Sequence, residues 1–202
     1  QLIPELLARE HSLRLLVRDG SVRKLPPGCE QRCEIVPGNA LDLASYETKV
    51  RPADTFIHLV GVAHPNASKG QLFRDVDLVS IRAGVKAAKS AAIRHFIYVS
   101  VAHPSPIMED YIDVRREGES LIRDAGLNAT ILRPWYVLGP GHRWPAMLKP
   151  LYWLMEQIPS TERRAKRLGL VTLDQMIRTL VRAVETPVSG VKVVKVPEIR
   201  QE

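Results

Sequence analysis

The chain has 202 residues, 45% of them hydrophobic, which suits one domain with a sizeable core. Its formal charge of +7 makes the surface basic, a balance compatible with nucleic acid, an anionic membrane or an anionic small molecule such as a dinucleotide phosphate. The two cysteines, Cys29 and Cys33, have no further Cys or His partners nearby, so they read as reduced thiols, and no metal site is expected.

In chain order, Gln1 to Glu10 reads as a helix with Leu2, Ile3, Leu6 and Leu7 on one face. Leu13 to Val17 follows as a strand with Arg18 directly after it, and then comes an irregular connection over 21–32 containing Pro26-Pro27-Gly28. Cys33 to Val36 is a second strand, followed by Gly38-Asn39-Ala40-Leu41-Asp42, where Asp42 is placed to cap a helix over 43–50. Thr55 to Val60 is a strand of buried type ended by Gly61-Val62, and His64-Pro65 lies in the loop beyond it. A long helix is predicted over 75–93, with Ser80 on it. The run from Phe96 to Ser100 is the next strand, ending Val99-Ser100-Val101. Aromatics are few and Ala, Val, Ile and Leu dominate, as in a parallel sheet covered by helices.

The stretch from Tyr111 to Gly141 is the most informative. Tyr111, Val114, Arg115, Gly118, Leu121 and Ile122 recur at helical spacing, and Gly126 stands where that helix should stop. Ala129 to Leu132 is a strand closed by Arg133-Pro134-Trp135. Tyr111 and Arg115, four residues apart, share one helix face, and a phenol beside a fixed cation is suited to proton transfer. Beyond Gly141, an apolar helix is predicted over 144–158, to serve as a packing helix, a lid over a substrate, a homodimer face or a membrane-surface segment. A basic cluster at Arg163, Arg164, Lys166 and Arg167 reads as a solvated loop. Thr172-Leu173-Asp174-Gln175 is a capping box opening a helix to about Val184, and 191–196 is a last strand.

Tyr111, Arg115, Glu119 and Arg133-Pro134 together resemble the short-chain dehydrogenase/reductase superfamily in its extended and atypical branches, NmrA-like or epimerase/dehydratase-like. There a Tyr-x-x-x-Lys pair lies on a helix, a Glu often follows, and the next strand ends in Arg-Pro; here Arg115 stands for the Lys. The resemblance implies an α/β fold, a doubly wound Rossmann-type parallel sheet with a reduced C-terminal substrate lobe, covering 1–202 as one NAD(P)-binding domain with 142–170 as a small lid or substrate segment. It implies that Tyr111 is the acid/base, that Arg115 lowers its pKa and bonds the nicotinamide ribose, and that Ser100 sits at the first of two serine positions, with Val101 at the second. It places the cofactor along Arg18, Asn39, Ala40, Val60, Gly61, Val62, Val99, Tyr111, Arg115, Pro134 and Trp135. Arg18 after its strand, with Arg23 or Lys24 close behind, favours NADP over NAD.

In the resembling family a strand and a glycine-rich turn precede the first helix, and neither is within 1–202. The expectation is that roughly 15–20 residues lie upstream, that the sheet opens without them, and that 1–202 alone binds dinucleotide poorly. The implied activity is an NADP-dependent oxidoreductase or epimerase/dehydratase-like reaction on a small carbonyl or hydroxyl substrate; Val101 points to the alternative, a non-catalytic NADP(H)-binding sensor or assembly module. No nucleic-acid recognition motif is present, so no nucleic-acid partner is expected. No signal peptide is visible and no apolar run reaches spanning length, which sets the expectation of a cytoplasmic protein without a transmembrane segment.

Overall fold

The computed structural model describes residues 1–63, 65–104, 108–139 and 169–202. All its strands pair in parallel. Strands β1 (Arg14–Val17) and β2 (Glu34–Pro37) form a two-stranded sheet. A second sheet has the order β3 (Thr55–His58), β4 (His95–Val99), β5 (Ala129–Arg133), β8 (Val191–Lys195). The expected opening of the sheet thus falls between β1 and β3, where Leu16 and Leu59 are exposed. A third pair, β6 (Tyr136–Leu138) with β7 (Leu170–Thr172), forms where the sequence suggested only a loop after Arg133. Three residues carry too little periodicity to be read as a strand.

The four-stranded sheet is apolar on both faces, because period-2 alternation sends neighbouring side chains to opposite layers. Phe96, Tyr98, Ala129 and Ile131 face one cluster with Ile81, Ala87, Val114 and Ile122, which come from α4 (Val79–Ser90) and α5 (Glu109–Asp124). Ile97, Leu132 and Val194 face the other, with Met176 and Leu180 of α6 (Leu173–Glu185). Helix α1 (Leu2–Ala8) lies on α6, Leu6 meeting Ile177 and Val181. Helices therefore cover both faces, the doubly wound arrangement.

Local signals act as the sequence suggested at several ends. Asp42 accepts from the Ala44 N–H at 3.2 Å, though the capped segment is two 3₁₀ turns, Leu43–Ser45 and Glu47–Lys49, rather than one helix. Gly126 takes φ +70° just past α5, which costs glycine no Cβ clash. Thr172 and Gln175 form the reciprocal capping box of α6. The predicted helix over 75–93 begins earlier, at α3 (Gly70–Leu72), and passes through a π-helical stretch, Phe73–Leu78, before α4. The apolar stretch 144–158, the basic cluster 163–167 and His64 lie outside the described residues.

Candidate active site

Parallel strands deliver their C-terminal ends to one edge, where open α/β folds hold ligands. At the end of β3 the chain turns through Val60-Gly61-Val62, and at the end of β4 it passes through Val99-Ser100-Val101. Helix α5 lays Tyr111 and Arg115 over these two ends. The Arg115 guanidinium donates from Nη1 to the Val99 carbonyl at 2.9 Å and from Nη2 to Asp77 Oδ1 at 2.5 Å. The other Asp77 oxygen accepts the Val62 N–H at 2.9 Å. Arg115 also lies 5.1 Å from the Tyr111 ring centroid and 5.8 Å from that of Tyr98, within cation–π range. The Tyr111 ring meets Phe73 at 5.0 Å. Gly61 is needed for contact reasons: a Cβ there would collide with Arg115 Nη2.

The structure therefore brings together Gly61, Val62, Val99, Tyr111 and Arg115, and adds Asp77, which no motif in the sequence marks. Asp77 lies 38 residues from Arg115 and looks like one more polar position on a helix. Its only sequence signal is an acidic residue falling on the buried side of an apolar period.

The electrostatics follow from burial. Arg115 is 5% exposed and stays protonated, its pKa pushed up by the two tyrosines and Asp77 in spite of the desolvation that opposes them. Burial pushes the Tyr111 phenol up; Arg115 pulls it back down, and Asp77 adds to the rise. The lowering effect of Arg115 is present, and burial outweighs it. Burial likewise raises the Asp77 carboxyl against the pull of Arg115 and the Val62 amide.

Ser100 belongs to a neighbouring cluster. Its hydroxyl donates to Glu119 Oε1 at 2.7 Å, and Arg133 at the end of β5 donates from Nε to the same oxygen at 2.8 Å and from Nη2 to Glu119 Oε2. His103 stands 3.6 Å from Glu119. Burial alone would raise the Glu119 carboxyl, but hydrogen bonds from Arg133 and Ser100, with the Arg133 charge, hold it below the usual carboxylate range. Val101 is buried and offers no polar atom. Pro134 is buried and its carbonyl accepts from the Ala102 N–H at 2.8 Å, while Trp135 packs on the α6 side of the sheet.

The other residues expected on the cofactor side lie past β1 and β2, with Val60 past β3. Arg18 is exposed just past β1, and among the described residues it has no ion-pair partner. Adjacent to it, the Gly38 N–H donates to the Val17 carbonyl at 3.1 Å, and Asn39 Oδ1 closes a local turn on the Leu41 N–H at 3.1 Å. Ala40 and Val60 are half-buried. A bare glycine turn at a strand end, an exposed arginine past β1 with no ion-pair partner among the described residues, and a phenol beside a cation fit a dinucleotide laid along the strand ends.

Known structures share this architecture. The chain resembles the Bordetella bronchiseptica enzyme WbmH, solved in complex with NAD+, with 17% identity and a TM-score of 0.67, covering 96% of this chain and 70% of that one. It resembles a nucleoside-diphosphate-sugar epimerase from Staphylococcus aureus with 15% identity and a TM-score of 0.68, covering 96% and 66%. A UDP-glucuronic acid 4-epimerase from Bacillus cereus, in complex with NAD, gives 18% identity and a TM-score of 0.65, covering 96% and 72%. The chain thus spans about two thirds to three quarters of these proteins' length, and at such identities the likeness is one of fold. No curated protein sequence matches the chain. Residues 1–143 match the family model described as NAD(P)H-binding, and with the Rossmann-type fold shared by these structures this shows that the chain belongs to that NAD(P)H-binding family.

Proposed function

We propose that the protein binds NADP(H) in preference to NAD(H) and acts on a small carbonyl or hydroxyl substrate, with Tyr111 as proton donor and acceptor. The reading is carried by Tyr111, stacked beside the Arg115 guanidinium above the Gly61–Val62 turn and the Val99 carbonyl. When bound, the dinucleotide would supply the hydride. The chain's own residues orient and protonate. Arg18, with Arg23 or Lys24, would take a ribose 2′-phosphate, and Gly61 lets the backbone approach closely. Arg115 keeps a positive charge beside the phenol that must ionise during turnover. Tyr starts near pKa 10 and burial lifts Tyr111 further, so it is better suited to giving a proton than to taking one at neutral pH.

Two observations favour a second reading, a non-catalytic NADP(H)-binding sensor or assembly module. Arg115 is tied internally to Asp77 and Val99, and the second serine position holds the buried, apolar Val101. The test is NADPH consumption against a panel of aldehydes, ketones and quinones, for the parent and for Tyr111→Phe, Arg115→Lys and Val101→Ser. The catalytic reading expects Tyr111→Phe to abolish turnover with NADPH affinity nearly unchanged, Arg115→Lys to be milder, and Val101→Ser to raise activity by adding an oxyanion donor. Turnover that survives Tyr111→Phe would remove Tyr111 from the role. A flat panel for all four proteins, with NADPH bound, would favour the sensor.

A further inference from the structure

Asp77 is buried to 1% exposure, and both of its oxygens accept N–H groups from different parts of the site: Arg115 on α5 and the Val62 backbone beyond β3. Accepting at both oxygens is the pattern of an ionised carboxylate. The residue is presented by the π-helical stretch Phe73–Leu78, whose wider turn is uncommon and recurs at functional positions. The same stretch supplies Phe73, which packs on the Tyr111 ring. One segment thus holds the cation, the phenol ring and the turn that faces the cofactor.

We infer that Asp77 is a positioning residue: it ties the Tyr111–Arg115 helix to the Gly61–Val62 turn and balances the Arg115 charge, so that Tyr111 faces a neutral ion pair rather than a bare cation. The inference rests on the reading above that Tyr111 is the proton donor. An uncompensated cation close to the Tyr111 ring would favour the phenolate, whereas a paired one leaves the phenol protonated and able to donate. Among the described residues, the charged and titratable groups around this point are Arg115 on the same helix, Asp77 on the π-helical stretch, Tyr98 on β4 and His58 on β3, which feels the Arg115 charge. Arg115 Nε and the Tyr98 hydroxyl are buried without a well-formed hydrogen bond, so among these groups Asp77 supplies the one carboxylate beside the guanidinium, whose Nη1 is held by the Val99 carbonyl.

The experiment is a tyrosinate absorbance titration, read as the difference between each protein and its Tyr111→Phe counterpart, with far-UV circular dichroism on the same samples. Asp77→Asn keeps an acceptor for the Val62 N–H and removes the charge, and the Tyr111 midpoint should fall by about one unit or more. Arg115→Gln should raise the midpoint, since it leaves Asp77 as the only charge nearby. Asp77→Asn with Arg115→Gln together should return it towards the parent, and this charge-free pair also serves if Asp77→Asn alone does not fold. Hydrogen exchange at the Val62 amide should be slow in the parent and in Asp77→Asn and fast in Asp77→Ala. A midpoint that stays put in Asp77→Asn and Arg115→Gln, or one displaced in the charge-free pair as far as in a single variant, would overturn the inference and leave Asp77 as packing. The titration needs no turnover. If the midpoints move as stated while Tyr111→Phe keeps its activity, the positioning role stands and the catalytic reading of Tyr111 falls.

Discussion

Ser100 at the end of β4 and Glu119 on α5 are joined by a 2.7 Å hydrogen bond, so the serine hydroxyl is engaged by a buried carboxylate. Glu119 is 1% exposed and is the hub of this corner, because the two-point contact from Arg133 ties α5 to the end of β5.

Replacing Glu119 by Gln should therefore be costly. Removing one partner of a buried ion pair leaves the other charge unpaired, an effect of up to about 3–5 kcal/mol. Arg123→Gln removes only an exposed contact at 3.3 Å and should cost less than about 1 kcal/mol. Urea unfolding midpoints of the two variants test this; equal losses would remove Glu119 from its place as hub. Since the folded Glu119 pKa is depressed, its contribution is full above the unfolded value and fades as pH falls through the folded one.

His58 predicts a pH dependence. It is 3% exposed, its ring nitrogens lack well-formed hydrogen bonds, and burial, aided by the Arg115 charge, pushes its pKa down to about 3. With the folded value below the unfolded one, the unfolded chain takes up a proton that the folded protein refuses. Stability should fall as pH drops from about 6.5 towards 3, with a slope of up to about 1.4 kcal/mol per unit from this residue. His95 and His103 are lowered by burial too and add to the trend. The comparison of His58→Leu with the parent isolates His58: thermal unfolding at pH 7.5 and 5 should show a smaller drop in the variant. Identical drops would mean that the buried ring does not govern it.

Gly61→Ala probes the contact between the Gly61–Val62 turn and Arg115. The new Cβ would collide with Arg115 Nη2, and that guanidinium is held by Asp77 and Val99. Overpacking of this kind costs about 1–3 kcal/mol, visible as a lower unfolding midpoint. Gly61→Ala combined with Arg115→Ala should recover part of the loss; no recovery would place the clash elsewhere.

Arg18→Ala addresses cofactor choice. A charge-assisted hydrogen bond contributes roughly 1.5–3 kcal/mol, about ten- to a hundred-fold in affinity. The variant should lose that much for NADPH and little for NADH in a fluorescence titration. Equal losses would return Arg18 to an ordinary exposed loop arginine.

Much of the framework was legible in the sequence because it rests on local rules. Helical spacing from Tyr111 to Ile122 located α5 and set Tyr111 and Arg115 on one face, since residues four apart are neighbours on any α-helix. The apolar runs marked β3, β4 and β5, because strands buried on both faces have no polar side to show. Gly126 and the Thr172–Gln175 pair marked their helix ends through backbone conformation and short-range hydrogen bonds.

What the sequence could not carry was the choice of partner across the chain. Nothing local tells an arginine on α5 whether to reach outwards or to turn back to an aspartate 38 residues earlier; that was settled when α5 packed on α3–α4 and buried both charges together. The π-helical stretch and the short pair β6–β7 belong to the same class. Periodicity reports which face of an element is buried, whereas the neighbour it meets there depends on closing long loops around a shared core. So Tyr111 and Arg115 came from the sequence, and Asp77, which governs how the two act on each other, came only from the fold.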